Sequence, residues 1–273
     1  MWGVGYFNNC TFEENVTWAS ATDAIVYMDG KAWVGSTANL TKVLFADQEN
    51  IHVVLNDDLS LDVSDSSIAL GTAKTKSIVI DGDNYKLTLT TSYWSRLSLA
   101  NPEATLTLKN MTLTSTQTSG TWNSYDVTFK CNVELENVVL EKALAIDGPG
   151  KTAKLTNVKI NETHDYYALW IVAGSNVVID GLEVTSAGRG IKIDAEYVDN
   201  PTKTTLKISN AKFTTVKKAA IMVDSPAGAD ITCENINIEN CTADSKNVVW
   251  VDSDAASYYD LVTVTGATKF QEQ

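Results

Sequence analysis

The chain has 273 residues, a formal net charge of −13 and a pI near 4.5. Such an excess of carboxylates repels phosphate backbones and anionic lipid surfaces, so nucleic acid and anionic membranes are excluded as expected partners. No apolar run approaches the length of a bilayer span, so we also expect no membrane insertion.

The first elements along the chain are two short apolar stretches near residues 6–12 and 24–29. Apolar spacing at Leu40, Val43 and Leu44 then predicts a short amphipathic helix over residues 38–48. Such a helix commonly covers the bare strand edges at the end of a solenoid. Because strand-like sequence precedes this cap, we divide the chain in two. Residues 1–36 are an extra coil or the tail of an upstream module, and residues 37–273 are a β-helix domain with an N-terminal cap.

A short hydrophobic frame recurs in the rest of the chain, as in residues 106–113 and 133–140. Alternating apolar and polar residues flank a central Asn or Gly, which tolerates a left-handed backbone conformation. Each frame is therefore two short strands joined at a bend, and stacked Asn side chains can hydrogen-bond from coil to coil. The spacing in the twenties is typical of a solenoid. The bend positions are Asn110, Asn137, Asn157, Gly181, Asn210 and Asn235.

A third apolar strand follows each frame, at residues 144–146, 169–171, 191–193, 221–223 and 249–251. Three strands per turn, in a fixed order, predict an all-β parallel β-helix whose coils lie about 4.8 Å apart. Leu, Ile and Val would form a shared interior column that no single coil can bury alone.

The chain resembles the right-handed parallel β-helix, or pectin-lyase-like, superfamily over roughly residues 77–265. It is most similar to β-helix surface proteins of gut bacteria, through residues 163–170 and 188–194. The resemblance implies a right-handed solenoid and a secreted or cell-surface bacterial protein. Because this superfamily includes lyases, hydrolases, phage tailspikes and non-catalytic adhesins, the fold alone does not specify the function.

In the resembling family, the outward side of the third strand binds sugar chains. Trp170 and Trp250 are three coils apart on it, about 14 Å at the sheet spacing and close to the reach of three sugar units. Aromatic rings stack on sugars, and Lys192 between them could reach a carboxylate or a hydroxyl. The alternative is that loops bury these aromatics as satellite clusters. The ligand-binding candidates are Trp170, Trp250, Lys192, Arg189, Tyr166, Tyr167 and Met222.

An aspartate follows the last inward residue of several third strands. Stacked carboxylates repel one another unless a neutral or cationic group lies between them, and Ca²⁺ takes oxygen ligands of this kind. Asp194, Asp224 and Asp252 are therefore weak metal candidates, and Ca²⁺ is the one cofactor that the sequence suggests. The alternative is that each Asp accepts backbone N–H bonds at its own turn.

Catalytic motifs are sparse. The polygalacturonase branch carries an Asp-Asp pair, a Gly-His-Gly and an Arg-x-Lys, whereas here Arg189 and Lys192 are one residue too far apart. His164 and Asp165 form a candidate acid/base pair, and the alternative is a structural hydrogen bond. Arg189 or Lys192, beside Asp194, is a candidate for proton abstraction, although no lyase motif supports that role.

We therefore expect a non-catalytic module that binds a polysaccharide or another extracellular ligand. The alternatives are a lyase or glycoside hydrolase acting on an acidic polysaccharide, and a structural stalk or phage-tail module. The sequence leaves the oligomeric state open.

Overall fold

Alternating apolar side chains and left-handed bends build a parallel β-solenoid of about five turns. The computed structural model describes residues 4–7, 24–65, 68–92, 96–116, 127–172, 174–194, 203–224, 231–234, 238–239, 248–251, 262–265 and 268–271. Within the strands, the description covers only the backbone of residues 4–7, 162–166, 217–218, 231–234, 238–239, 248, 262 and 271.

The described elements follow one another in chain order. They are β1 (Val4–Phe7), β2 (Ile25–Met28), β3 (Lys31–Val34), α1 (Thr37–Leu44), β4 (Asn50–Leu55), β5 (Leu59–Asp62), β6 (Ala69–Leu70), β7 (Ser77–Asp81), β8 (Lys86–Thr90), β9 (Ser98–Leu99), β10 (Thr105–Ser115), β11 (Val127–Phe129), β12 (Asn132–Leu140), β13 (Leu144–Ile146), β14 (Thr152–Val172), β15 (Asn176–Asp194), β16 (Thr204–Asp224), β17 (Ile231–Glu234), β18 (Ile238–Glu239), β19 (Val248–Val251), β20 (Val262–Val264) and β21 (Thr268–Gln271).

The strands stack in three parallel sheets that run along the solenoid. The first sheet contains β4, β7, the first parts of β10, β12, β14, β15 and β16, and then β17 and β20. The second contains β5, β8, the middle parts of the same long strands, and β18. The third contains β11, β13, the last parts of β14, β15 and β16, and then β19 and β21.

The N-terminal residues extend the first sheet. Strand β1 pairs in parallel with β2, β2 forms an antiparallel hairpin with β3, and β3 pairs in parallel with β4. Helix α1 follows. Its N-cap Ser36 accepts a hydrogen bond from the Asn39 N–H at 3.3 Å, and it buries Leu40, Val43 and Leu44 while contacting β3, β4 and β5. Among the described residues, no helix has the length and apolarity needed to span a bilayer.

The interior is a continuous apolar column, as the period-two pattern predicts. In the first sheet, Ile80, Leu108, Leu135, Leu155 and Ile179 lie on successive strands, and each is at most 1% exposed. Burying each such side chain contributes about 1.5–3 kcal/mol relative to leaving it in water. Because each coil shares this column with its neighbours, the coils stabilise one another.

The bends form a hydrogen-bonded ladder. Asn110, Asn137 and Asn157 have φ angles of 52°, 54° and 52°. The Asn137 amide donates to Asn110 Oδ1 at 3.1 Å, and the Asn157 amide donates to Asn137 Oδ1 at 3.2 Å. Asn110 in turn donates to Asp81 Oδ1 at 3.1 Å. The predicted Asn ladder is present in these coils, and Asn235 lies outside the described residues.

Candidate functional site

The outward positions of the third sheet form one column, because parallel strands stack in register. Trp170 pairs with Lys192, Lys192 pairs with Met222, and Met222 pairs with Trp250. The register therefore aligns both tryptophans on the same face of the solenoid. The third-sheet column comprises Thr128, Ala145, Trp170, Lys192, Met222, Trp250 and Phe270.

Solvent exposure changes along the third-sheet column. Ala145, Trp170 and Met222 are 1%, 6% and 0% exposed, so the middle of the column is covered. Trp250 is half-buried and Phe270 is 47% exposed. The column therefore presents aromatic surface to solvent at its C-terminal end and not around Trp170.

Lys192 is the charged centre of the covered part. Its Nζ lies 2.8 Å from Asp194 Oδ2 and 3.2 Å from Asp224 Oδ2. The same Nζ lies 5.7 Å from the centre of the Trp170 ring, within cation–π range. Asp194 and Asp224 are stacked partners on β15 and β16, so the ammonium offsets the repulsion between their carboxylates.

These neighbours control the protonation of Lys192. Burial by itself would lower the pKa of Lys192. The attraction and hydrogen bonds of Asp194 and Asp224 outweigh burial, so the pKa lies above its ordinary value of 10.5. The side chain is therefore an ammonium at neutral pH and cannot accept a proton.

The calcium hypothesis places a cation where Lys192 already lies. A Ca²⁺ ion bound between Asp194 and Asp224 would have to displace that ammonium. Across the part of the chain that the structure describes, no group of three or more His, Cys, Asp or Glu side chains is arranged to hold a metal. Asp252 lies outside the described residues.

Tyr167 and Arg189 also belong to the covered region. Tyr167 is 4% exposed, and its ring centroid lies 5.7 Å from that of Trp170, with 49° between the planes. This tilted contact is typical of packed aromatic pairs. Arg189 Nε lies 2.7 Å from Met222 Sδ, which is a weak acceptor. Tyr167 and Trp170 form a small second cluster with Ala143, Ala145 and Val172.

The remaining candidates lie where only the backbone is described. A loop before the third strand is what the sequence predicts for His164, Asp165 and Tyr166, whereas the structure includes these residues in β14. Thr163 pairs with Ser186 and His164 with Ala187, with register shifts on either side. A bulged strand, not a loop, therefore carries these residues, and their side chains are outside the description.

Phe270 was not among the candidates from sequence. Residues 255–273 look like one strand followed by a polar tail, which hides the second strand β21. Once β21 is paired, Phe270 contacts Trp250 in a tilted arrangement, with ring centroids 5.2 Å apart and 50° between the planes. The sequence feature that could have indicated Phe270 is a single aromatic residue between two polar neighbours, Lys269 and Gln271.

The fold and the column thus define the class of protein, a parallel β-solenoid with an aromatic outward column on its third sheet. Comparison with protein families, curated proteins and solved structures gives no match to the chain.

Proposed function

We propose that this chain is a non-catalytic, extracellular module that binds a polysaccharide on the third-sheet column. The observation that carries the proposal is the tilted contact of half-buried Trp250 with exposed Phe270, on adjacent strands at the C-terminal end of that column. Exposed aromatic rings on a rigid sheet present flat apolar surfaces to the C–H faces of sugar rings. The ladder hydrogen bonds hold the two backbones in register and the mutual ring contact restricts both side chains, so the rings lose little freedom on binding.

The chemistry of the covered part favours binding over catalysis. Lys192 is held as an ammonium between two carboxylates, so it does not serve as the base of a lyase. Arg189 Nε lies against the thioether of Met222, which offers no proton to exchange. In this proposal the covered cluster stiffens the sheet that carries the exposed rings.

The finer assignments belong to the same proposal. We propose a right-handed coil of the pectin-lyase-like type, with α1 as its N-terminal cap. The burial of Leu40, Val43 and Leu44 against the adjoining strands supports the cap. A polysaccharide ligand supports a secreted or cell-surface location on a bacterium.

A glycan array tests the proposal with three proteins. The wild type is compared with the double variant Trp250→Ala, Phe270→Ala, and with Phe45→Ala as the matched control. Phe45 is 39% exposed at the end of α1, far from the column in sequence, so its loss changes exposed aromatic area but not the proposed site. We expect the double variant to bind at least about tenfold more weakly, which is about 1.4 kcal/mol.

Two outcomes would favour the other functions. Release of unsaturated products or reducing ends from an acidic polysaccharide would indicate a lyase or a hydrolase. Equal binding by wild type and double variant, or no binding by either, would remove the proposed face. Either of these two binding results, together with a trimeric mass in solution, would favour a stalk or tail module.

A further inference from the structure

Lys192, Asp194 and Asp224 form a covered charge cluster that sugar binding does not use. The Lys192 side chain is 19% exposed, that of Asp194 1% and that of Asp224 24%. Lys192 and Asp194 lie on β15, whereas Asp224 lies on β16, in the next coil. The cluster therefore places one amine between a carboxylate of its own coil and a carboxylate of the neighbouring coil.

The Lys192 nitrogen is close enough to react with the carboxyl group of Asp224. Nζ lies 3.2 Å from Asp224 Oδ2 and 2.8 Å from Asp194 Oδ2. Groups held about 3–3.5 Å apart react with effective molarities of about 10⁵–10⁸ M. Such positioning removes most of the entropic barrier that keeps free amines and acids from condensing in water.

The surroundings of the cluster exclude most water. The Trp170 ring centre lies 5.7 Å from Lys192 Nζ, and Trp170 and Met222 are both buried. Because desolvation costs several kcal/mol per ion, burial narrows the advantage of an ammonium and a carboxylate over a neutral amine and a carboxylic acid. The ammonium is still the main form, so the neutral amine is the minor one. The minor form is sufficient, because the reaction has to occur only once in each chain.

We propose that Lys192 and Asp224 form an intramolecular isopeptide bond between β15 and β16, with Asp194 as the proton-transfer group. Asp194 has the shorter contact with Nζ and accepts the first proton from the ammonium. Asp224 is the group attacked, since its carboxyl group is partly exposed and the released water has a path to solvent. The inference does not rest on polysaccharide binding.

The reaction balances without any oxidant, reductant or co-reactant. After the first proton transfer to Asp194, the Lys192 lone pair attacks Asp224 Cγ and forms the N–C bond. The nitrogen then loses a second proton, and one Asp224 oxygen leaves with both protons as water. An ammonium and a carboxylate thus become an amide and one water molecule, and Asp194 ends as the carboxylate that it was at the start.

Intact-protein mass spectrometry of the whole chain tests this inference. Folded wild-type protein is kept at neutral pH for several days and then denatured. We expect its mass to lie below the sequence mass by one water molecule, and fragmentation to show a branched peptide that joins Lys192 to Asp224. The exposed Lys74–Asp47 pair is an internal control. Its Nζ–Oδ2 distance is 2.9 Å, but its side chains are 71% and 60% exposed, so it should stay unlinked.

Three variants assign the roles within the cluster. Lys192→Arg keeps the positive charge but has no primary amine, so it should retain the full sequence mass. Asp224→Ala removes the group attacked and should also retain it. Asp194→Asn keeps the shape of the side chain but cannot take up the proton, so the link should form at least about tenfold more slowly. Lys74→Arg is the matched control and should lose water as the wild type does.

The full sequence mass in wild-type protein would overturn the inference, and this result does not depend on whether a variant folds. A link from Lys192 to Asp194, or equal rates in wild type and Asp194→Asn, would overturn the assigned roles. The Trp250→Ala, Phe270→Ala variant should still lose water. Failure of the third-sheet proposal is therefore distinguishable from failure of this one.

Discussion

The Lys192 ammonium lies 2.8 Å from the carboxylate of Asp194, whose side chain is 1% exposed. Both residues point outward from β15, two positions apart, so the contact runs along a strand and not into the hydrophobic core. A charge buried to this extent requires a partner, because desolvation costs several kcal/mol per ion. The outward face of the third sheet is therefore a second packed layer in this region.

Removing the ammonium should destabilise the protein strongly. Lys192→Met keeps most of the side-chain volume but removes the ammonium that lies between Asp194 and Asp224. We expect the free energy of unfolding to fall by about 3–5 kcal/mol, measured by denaturant titration. Lys74→Met is the control, since the Lys74–Asp47 pair is 71% and 60% exposed and should contribute at most about 1 kcal/mol. Equal losses in the two variants would contradict a structural role for Lys192.

His52 should make the fold sensitive to mild acid. Burial, and then Lys31 and Lys109, lower its pKa below 6.5, and the opposing effect of Asp81 is smaller. Above pH 6.5 both folded and unfolded chains carry a neutral imidazole, so no stability is lost. As the pH falls through that value, the unfolded chain gains a proton that the folded chain resists, and stability decreases.

Thermal unfolding of wild type and His52→Gln measures this effect. When the pH is lowered from about 7.5 to about 5.5, the Tm of the wild type should fall further than the Tm of His52→Gln. Identical slopes in the two proteins would show that His52 titrates normally in the fold.

The Asn ladder separates backbone conformation from hydrogen bonding. Asn137→Ala places a Cβ at a φ of 54° and removes the bonds to Asn110 and from Asn157. We expect the free energy of unfolding to fall by about 2–5 kcal/mol, because the left-handed conformation costs about 1–2 kcal/mol and each of the two exposed bonds contributes about 0.5–1.5 kcal/mol. Asn137→Gly restores the conformational freedom and should lose less. If the glycine variant is the less stable of the two, the φ argument is wrong.

Gly190 is needed for close packing within β15. A Cβ at this position would lie 2.2 Å from Phe213 Cε1 and 2.5 Å from the Ala220 carbonyl oxygen. Because both neighbours are buried, Gly190→Ala should cost about 3 kcal/mol or more, or prevent folding. Gly150→Ala is the control, since Gly150 has a φ of 77° but no atom lies within 4 Å of the added Cβ. Its free energy of unfolding should fall by only about 1–2 kcal/mol. Calorimetric Tm values for both variants measure the difference.

Cys131 should be chemically inert in the folded protein. Burial raises the pKa of its thiol to about 12, and the nearby Lys151 offsets only part of that rise. Since the thiolate is the reactive form, iodoacetamide at neutral pH should leave Cys131 unmodified until denaturant is added. Peptide mass mapping distinguishes it from the other three cysteines. Modification in native buffer would indicate an open coil at this position.

The repeat alone was enough to predict which side chains stack. Period-two alternation decides which residues point inward, and an Asn in the left-handed region marks each bend, so Asn110, Asn137 and Asn157 could be aligned from spacing. The same logic placed Trp170, Lys192, Met222 and Trp250 in one outward column. These are local properties of the backbone, and each coil expresses them independently.

Exposure and charge pairing, in contrast, depended on tertiary structure. Segments distant in sequence decide whether Trp170 is covered and whether Phe270 contacts Trp250. They also decide whether Lys192 lies between Asp194 and Asp224. The break in the Asn ladder at Gly181 is visible in the sequence, whereas the approach of Lys159 and Lys212 to Glu183 beside it appears only when the coils are stacked. A strand pattern determines the direction in which a side chain points. Its exposure to solvent and its ionic partners are determined by the segments that pack around it.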